Sequence, residues 1–211
     1  MKVRILIADS ADLIRLGMQS VLETRPEFIV EAAVASVADL LEAARQQPQV
    51  IIVDERLDPE MDILKLVECI GQVAPRASML VSGQLTDGLL IRDLFAAGGC
   101  GYLYKGDELQ ESLITAVETV LRQRPYLSAT ANSEYLVAMQ SPERDWRLDG
   151  EARAVLRLLA QGCHVGQVAL ALGLPLRRVY WVREKLRHRF GAVTNEHMIS
   201  RAAAEGFVYP S

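Results

Sequence analysis

Val50-Ile51-Ile52-Val53-Asp54 is the stretch on which the fold turns. Four β-branched apolar residues in succession read as a strand buried on both faces, the habit of parallel sheets, and the carboxylate of Asp54 ends the run. Outward from it the chain alternates. Val37, Leu40, Leu41 and Ala44 precede it at helical spacing, and a helix is expected over 63–73 after it. A strand over 78–82, a helix over 88–97, a strand over 101–104 and a helix over 108–122 follow. Toward the N-terminus lie a strand over 29–35 and a helix that begins at Asp12. Leu13, Leu16, Gly17, Val21 and Leu22 supply that helix's stripe, and Pro26 stops it. The first strand, Val3-Arg4-Ile5-Leu6-Ile7-Ala8, ends at Asp9-Ser10. This alternation predicts an α/β fold, a doubly wound five-stranded parallel sheet with ligands at the carboxyl ends of its strands.

Beyond residue 122 the pattern changes. Residues 123–146 carry Pro125, Pro142 and scattered polar side chains, with a weak helical patch from Tyr135 to Met139, and read as a linker. From 147 the chain is wholly helical, over 151–161, 165–172, 176–190 and 196–205, with breaks at Gly162, at Gly173 with Pro175, and at Gly191. The expected organisation is therefore 1–122, linker 123–146 and a small all-α domain 147–211. Charge follows the same division. Residues 1–146 hold 13 Lys and Arg against 22 Asp and Glu, net −9, whereas 147–211 hold 10 against 5, net +5, within a total of −4. A cationic helical part points to nucleic acid there and argues against a chain that coats nucleic acid along its whole surface.

Half of the residues are hydrophobic and 24% charged, an ordinary globular composition. Cys69, Cys100 and Cys163 suit neither a disulfide framework nor a metal knuckle, and are expected as small buried hydrophobes. The apolar run at the N-terminus is too short for an export signal or a membrane span, so no membrane association and a cytoplasmic location are expected. His164, His188 and His197 lack metal-ligand spacing, which points to surface roles.

Four polar residues close consecutive sheet elements: Asp9, Asp54, Ser82 and Lys105. In a doubly wound sheet they converge at one edge. Carboxylates clustered there suit a hard divalent ion such as Mg²⁺, Asp54 is placed as a nucleophile, and the hydroxyl and lysine suit phosphoryl oxygens. The stretch VRILIADSADLIRLG, residues 3–17, resembles the opening of the NarL/FixJ response regulators, and GYLYK, residues 101–105, resembles the end of their flavodoxin-like receiver domain. The resemblance implies that Asp54 accepts phosphate from a histidine kinase, that Asp9 and Asp54 hold metal, and that Lys105 contacts the phosphoryl group. It also implies that Ser82 moves with Tyr102 or Tyr104 as a switch.

Three departures accompany it. Ser10 stands where the family has a second acid and adds no charge to a cation site. Asp12, two residues on, is expected to cap the following helix. Ile63 replaces a glycine in the loop after Asp54, so that loop is expected to take another path. Gly83 replaces a small alanine after Ser82, a change that would loosen the loop. Mg²⁺ binding and phosphorylation are thus each open, and a receiver without them would serve as a dimerisation or partner-binding module.

Residues 148–162 and 168–174 resemble the first two helices of LuxR-type helix-turn-helix domains, with Val179 as the buried anchor of the third. That third helix, LRRVYWVREKLRHRF, carries Arg177, Arg178, Arg183, Lys185, Arg187 and Arg189 against a single acid, Glu184. Cations at this density suit DNA phosphates. The family's base-reading positions correspond to Tyr180, Trp181 and Glu184. The aromatics could pack on thymine methyls or form a partner surface; Glu184 could accept from cytosine N4 or repel phosphates. Residues 194–204 resemble the family's fourth helix, whose small alanines suit homodimer contact over a palindromic site. The expected function is a DNA-binding transcriptional regulator of a two-component system, not an enzyme, since no GxxxxGK loop or nucleophile elbow is present. The alternative is a protein-interaction adaptor with little specific DNA binding.

Overall fold

The computed structural model describes residues 2–58, 61–140, 148 and 150–209. The chain divides into two compact units, Met1–Gln84 with Leu90–Leu136, and Leu85–Leu89 with Val137–Ser211. The first contains β1 (Val3–Ala8), α1 (Asp12–Glu23), β2 (Phe28–Val34), α2 (Val37–Ala44), β3 (Val50–Asp54) and α3 (Ile63–Val73). It continues with β4 (Ser78–Gly83), most of α4 (Gly88–Ala96), β5 (Gly101–Tyr104), α5 (Leu109–Leu121), β6 (Tyr126–Leu127) and the start of α6 (Ala129–Gln140). All strands are parallel in the order β2-β1-β3-β4-β5-β6.

The sheet therefore has six strands where the sequence predicts five. Tyr126 and Leu127 pair with Gly101 and Tyr102 at its edge, and two residues are too few to show a period of two. β6 and the first residues of α6 fold with the first unit, within the span read as linker. Residues 141–146 of that span lie outside the described residues.

Successive residues of each central strand face opposite ways, which explains the unbroken apolar runs. Ile5, Ile7, Ile52 and Leu80 pack with Met18 and Leu22 of α1 and with Leu113, Ala116, Val117 and Val120 of α5. The stripe expected of α1 is met at Val21 and Leu22 and missed at Leu13 and Leu16. Leu13 and Leu16, read as core, are 81% and 64% exposed, whereas Met18 and Leu22 are buried and Ile14 and Val21 pack beside them. Both sets satisfy helical spacing, so periodicity alone does not choose between them. The three cysteines are half-buried rather than buried, and all are free.

The second unit holds α7 (Gly150–Ala160), α8 (Val165–Leu172), α9 (Leu176–Arg189) and α10 (Asn195–Ala204). Val155, Leu156, Val168, Val179, Val182, Leu186, Phe190, Met198 and Ala202 form its core, with Val179 fully buried as expected of the anchor. Gly162, Gly173 and Gly191 all have positive φ, between 56° and 84°, so each break needs a residue without Cβ strain. His164 does local work. Its ring accepts from the Gln167 amide while Gln167 Oε1 accepts from the His164 amide, a reciprocal cap on α8. Among the described residues, no helix is long and apolar enough to cross a membrane.

Candidate functional site

The parallel register brings the ends of β1, β3, β4 and β5 to one edge, and three of the four predicted side chains meet there. Lys105 Nζ lies 2.6 Å from Asp9 Oδ2 and 2.7 Å from Asp54 Oδ1. Both carboxylates are buried. Asp9 Oδ1 also accepts from the Ala11 amide at 2.9 Å, which fixes the carboxylate that faces the lysine. Ser82 is the β4 register partner of Asp54, and its buried hydroxyl makes no hydrogen bond. Burial raises the Asp54 pKa above the usual aspartate value, with Asp9 adding to the rise and Lys105 opposing it. For Lys105, burial works against the charge, but the hydrogen bonds and charges of Asp54 and Asp9 outweigh it and raise its pKa.

At this edge, carboxylate oxygens that a Mg²⁺ ion would take already accept from Lys105. A hard octahedral ion needs several free oxygen donors, and here two carboxylates are bridged by an internal ammonium. Ser10 is exposed and neutral, and among the described residues no group of three or more His, Cys, Asp or Glu is arranged to hold a metal. Asp12 does not replace the missing acid, and it does not cap α1 either. The N-cap is Ala11, and the Asp12 carboxylate pairs with Arg15. Ile63 is the first residue of α3, where Asp62 caps the Leu64 amide at 2.9 Å, so no positive φ is required of it.

Sequence reasoning missed Glu55. It follows Asp54 directly, is buried, and its Oε2 accepts from the Tyr102 hydroxyl at 2.6 Å. Its Oε1 accepts from the Gln84 amide at 2.6 Å, and its own amide donates to the Ser82 carbonyl at 2.8 Å. The ends of β3, β4 and β5 are thereby tied through one carboxylate. Gly83 has a packing role that the sequence did not suggest. A Cβ there would overlap the Glu55 carboxyl group, so the missing side chain is the space that the carboxylate fills. Of the two candidate switch aromatics, Tyr102 is the inward one, 1% exposed, whereas the Tyr104 ring lies half-buried over Gly106. The signal for Glu55 was available as the pair of an acid after Asp54 and a glycine after Ser82.

The second unit presents α9. Arg177, Arg178, Tyr180, Trp181, Glu184 and Lys185 are exposed; Arg183, Arg187 and Arg189 are half-buried. The Arg178 guanidinium sits 4.5 Å from the Trp181 ring centroid and bonds Glu151 at 2.7 Å, while Lys185 Nζ lies 5.5 Å from the same ring. Arg183 covers Tyr180 at 5.0 Å. Glu184 Oε1 accepts from Arg183 at 2.8 Å and Arg187 at 3.1 Å, and the Arg183 hydrogen bond first, with both positive charges, lowers its pKa. Arg189 departs from the predicted interface. It bonds Glu205 at 3.3 Å and lies against Phe190 and Phe207, within its own domain.

No family model matches the chain. It is 26% identical over 208 residues to the transcriptional regulatory protein MctR of Rhizobium johnstonii, covering 98% of this chain and 96% of that protein. It is 28% identical over 174 residues to the nitrate/nitrite response regulator protein homolog of Haemophilus influenzae, covering 81% and 82% respectively. Among solved structures it superposes on RcsB of Salmonella enterica serovar Typhimurium, bound to promoter P1flhDC with the phosphomimetic BeF3−, with a TM-score of 0.76. That match has 17% identity and covers 97% of this chain and all of RcsB. In architecture the chain resembles response regulators, with a receiver-like unit followed by a helix-turn-helix unit. The first unit is the receiver-like one, with Asp54 at the end of β3, and α9 follows the α8 turn in the helical unit.

Proposed function

We propose that this response regulator is a cytoplasmic, non-enzymatic transcriptional regulator that binds double-stranded DNA as a homodimer through α9. The observation that carries the reading is the exposed face of α9, where Arg177, Arg178 and Lys185 surround Tyr180 and Trp181 on the helix that follows the α8 turn. Such a helix enters the major groove with its cations on phosphates and its central side chains at base edges. Relatives named as transcriptional regulators and the promoter-bound RcsB structure support it.

The receiver works without phosphate or Mg²⁺ in this reading. Lys105 already neutralises the acidic edge, Ser10 withholds the second acid, and Glu55 holds Tyr102 inward with no phosphoryl group involved. A second reading, phosphorylation of Asp54 by a sensor histidine kinase, is favoured by the Ser82 hydroxyl, buried beside Asp54 with no hydrogen bond.

The test uses the purified chain with Mg²⁺ and acetyl phosphate, followed by intact mass and by affinity for a selected duplex, with Asp54→Ala in parallel. The primary reading expects no adduct and an affinity unchanged by the donor. An adduct lost in Asp54→Ala, with tighter DNA binding, establishes the second. Affinity no better for selected than for random duplex would leave an adaptor that contacts proteins.

A further inference from the structure

The geometry points to Glu184 as the residue that determines base preference in the DNA half-site, by accepting a hydrogen bond from the exocyclic amine of a cytosine. The inference rests on the DNA-binding reading above and goes further, to the chemistry of the sequence recognised.

Glu184 is the sole acid of α9 and lies on its exposed face, one turn after Tyr180 and Trp181. A lone carboxylate facing DNA would be repelled by phosphates, but two guanidinium groups neutralise this one. Arg183 and Arg187 both donate to the same oxygen, Oε1. Arg183 precedes Glu184 directly and Arg187 follows three residues later, so the carboxylate is held from both sides of its own position. Both are half-buried, which limits how far the clasp can swing. Oε2 has no hydrogen bond among the described residues, and the side chain is exposed, so this oxygen's lone pairs are left for an external donor. An acceptor held in place in this way loses less rotamer freedom on binding than a free glutamate would.

The base edges in the major groove then choose among themselves. Cytosine presents the N4 amine, a donor, without a neighbouring acceptor on its own edge. Adenine presents the N6 amine beside the N7 acceptor, and guanine presents two acceptors, N7 and O6. An acceptor-only carboxylate is matched by cytosine, half-matched by adenine and repelled by guanine. A lysine or arginine at this point of the helix would select the reverse. Tyr180 and Trp181, exposed one turn earlier, bound the same patch, and the cations over their rings keep them on the surface.

The experiment selects bound sequences from a pool of duplexes with a randomised core, using the full-length chain, Glu184→Gln and Glu184→Ala, and sequences each enriched pool. The native chain is expected to enrich cytosine at one position of each half-site, and replacing that C·G pair to weaken binding roughly tenfold. Glu184→Gln, which offers both a donor and an acceptor, is expected to move the preference at that position toward adenine. Glu184→Ala is expected to erase the preference there and leave the remaining positions enriched. Because Glu184 is exposed, these variants should melt as the native chain does, which thermal unfolding verifies. Retention of the native base preference in Glu184→Ala, or enrichment of guanine at the position by the native chain, overturns the inference while the DNA-binding reading stands. A native pool no different from the starting pool overturns both.

Discussion

Adding one methyl group at Gly83 should cost the receiver more than removing a core methylene does elsewhere. The Cβ of Gly83→Ala falls on the Glu55 carboxyl group, and that carboxylate must then leave its place. Its departure breaks the Tyr102 hydroxyl bond and the Gln84 amide bond, both 2.6 Å and both to a charged acceptor. Hydrogen bonds of this kind contribute about 1.5–3 kcal/mol each, so the loss of both sets a ceiling of roughly 3–6 kcal/mol on the destabilisation. Glu55→Ala removes the same two bonds and should cost a similar amount. In the double variant Glu55→Ala/Gly83→Ala the added Cβ meets no carboxylate, so the total should stay near that of Glu55→Ala alone. The coupling between the two positions then equals the cost of Gly83→Ala itself, up to about 3–6 kcal/mol, well outside the few tenths expected of independent sites. Equilibrium urea unfolding followed by far-UV circular dichroism gives the energies, and hydrogen exchange of residues 78–84 places the loss in β4. Additive single and double variants would refute the reasoning, since Glu55 would then not occupy the space that Gly83 leaves.

Other predictions follow from the same geometry. Lys105→Met leaves Asp9 and Asp54 facing each other without their shared cation, so urea unfolding should show a loss of several kcal/mol near pH 7 that shrinks toward pH 4 as Asp54, whose pKa is raised, protonates; equal losses at both pH values would contradict this. Asp107, whose pKa is lowered by hydrogen bonds from Thr130 and Ser128 that outweigh burial, ties the start of α6 to the receiver. Its folded pKa lies below its unfolded one, so this contribution is present above the unfolded value, about 4, and is lost as pH falls through the folded value. Hydrogen exchange at residues 129–133, corrected for intrinsic rates, should accelerate below pH 4, and Asp107→Asn should remove that dependence. Arg189→Ala should lower the stability of the helical unit through lost packing on Phe190 and Phe207 while leaving the salt dependence of DNA binding unchanged. Arg177→Ala should do the reverse.

How far the sequence reveals this arrangement depends on which force places each residue. The central strands are legible because strands buried on both faces must be continuous apolar runs, and their polar ends at Asp9, Asp54, Ser82 and Lys105 mark one sheet edge. The phase of α1 is not legible. Leu13 and Leu16 join Val21 and Leu22 at helical spacing as well as Ile14 and Met18 do, and only the sheet beneath decides. β6 escapes because two residues carry no period, and its pairing with β5 is purely tertiary. Glu55 reads as one more polar residue in a wet loop. Its partners Tyr102 and Gly83 lie on other strands and Gln84 just beyond one, so its burial depends on contacts 28 or more positions away. In α9 the cations are legible in number but not in use. The sequence treats six as equivalent, whereas packing turns Arg189 inward and commits Arg183 and Arg187 to Glu184.

The most direct test of the central claim is the affinity of the full-length chain for a selected duplex, measured by fluorescence anisotropy between 50 and about 300 mM salt, a range that separates phosphate contacts from other contributions. With Arg177, Arg178 and Lys185 of two copies on phosphates, log affinity should fall against log salt with a slope of roughly −5. Arg177→Ala/Lys185→Ala should flatten that slope by about 2 per bound copy. A slope near zero, or one that the double variant leaves unchanged, would contradict the assignment of α9 as the DNA-binding surface.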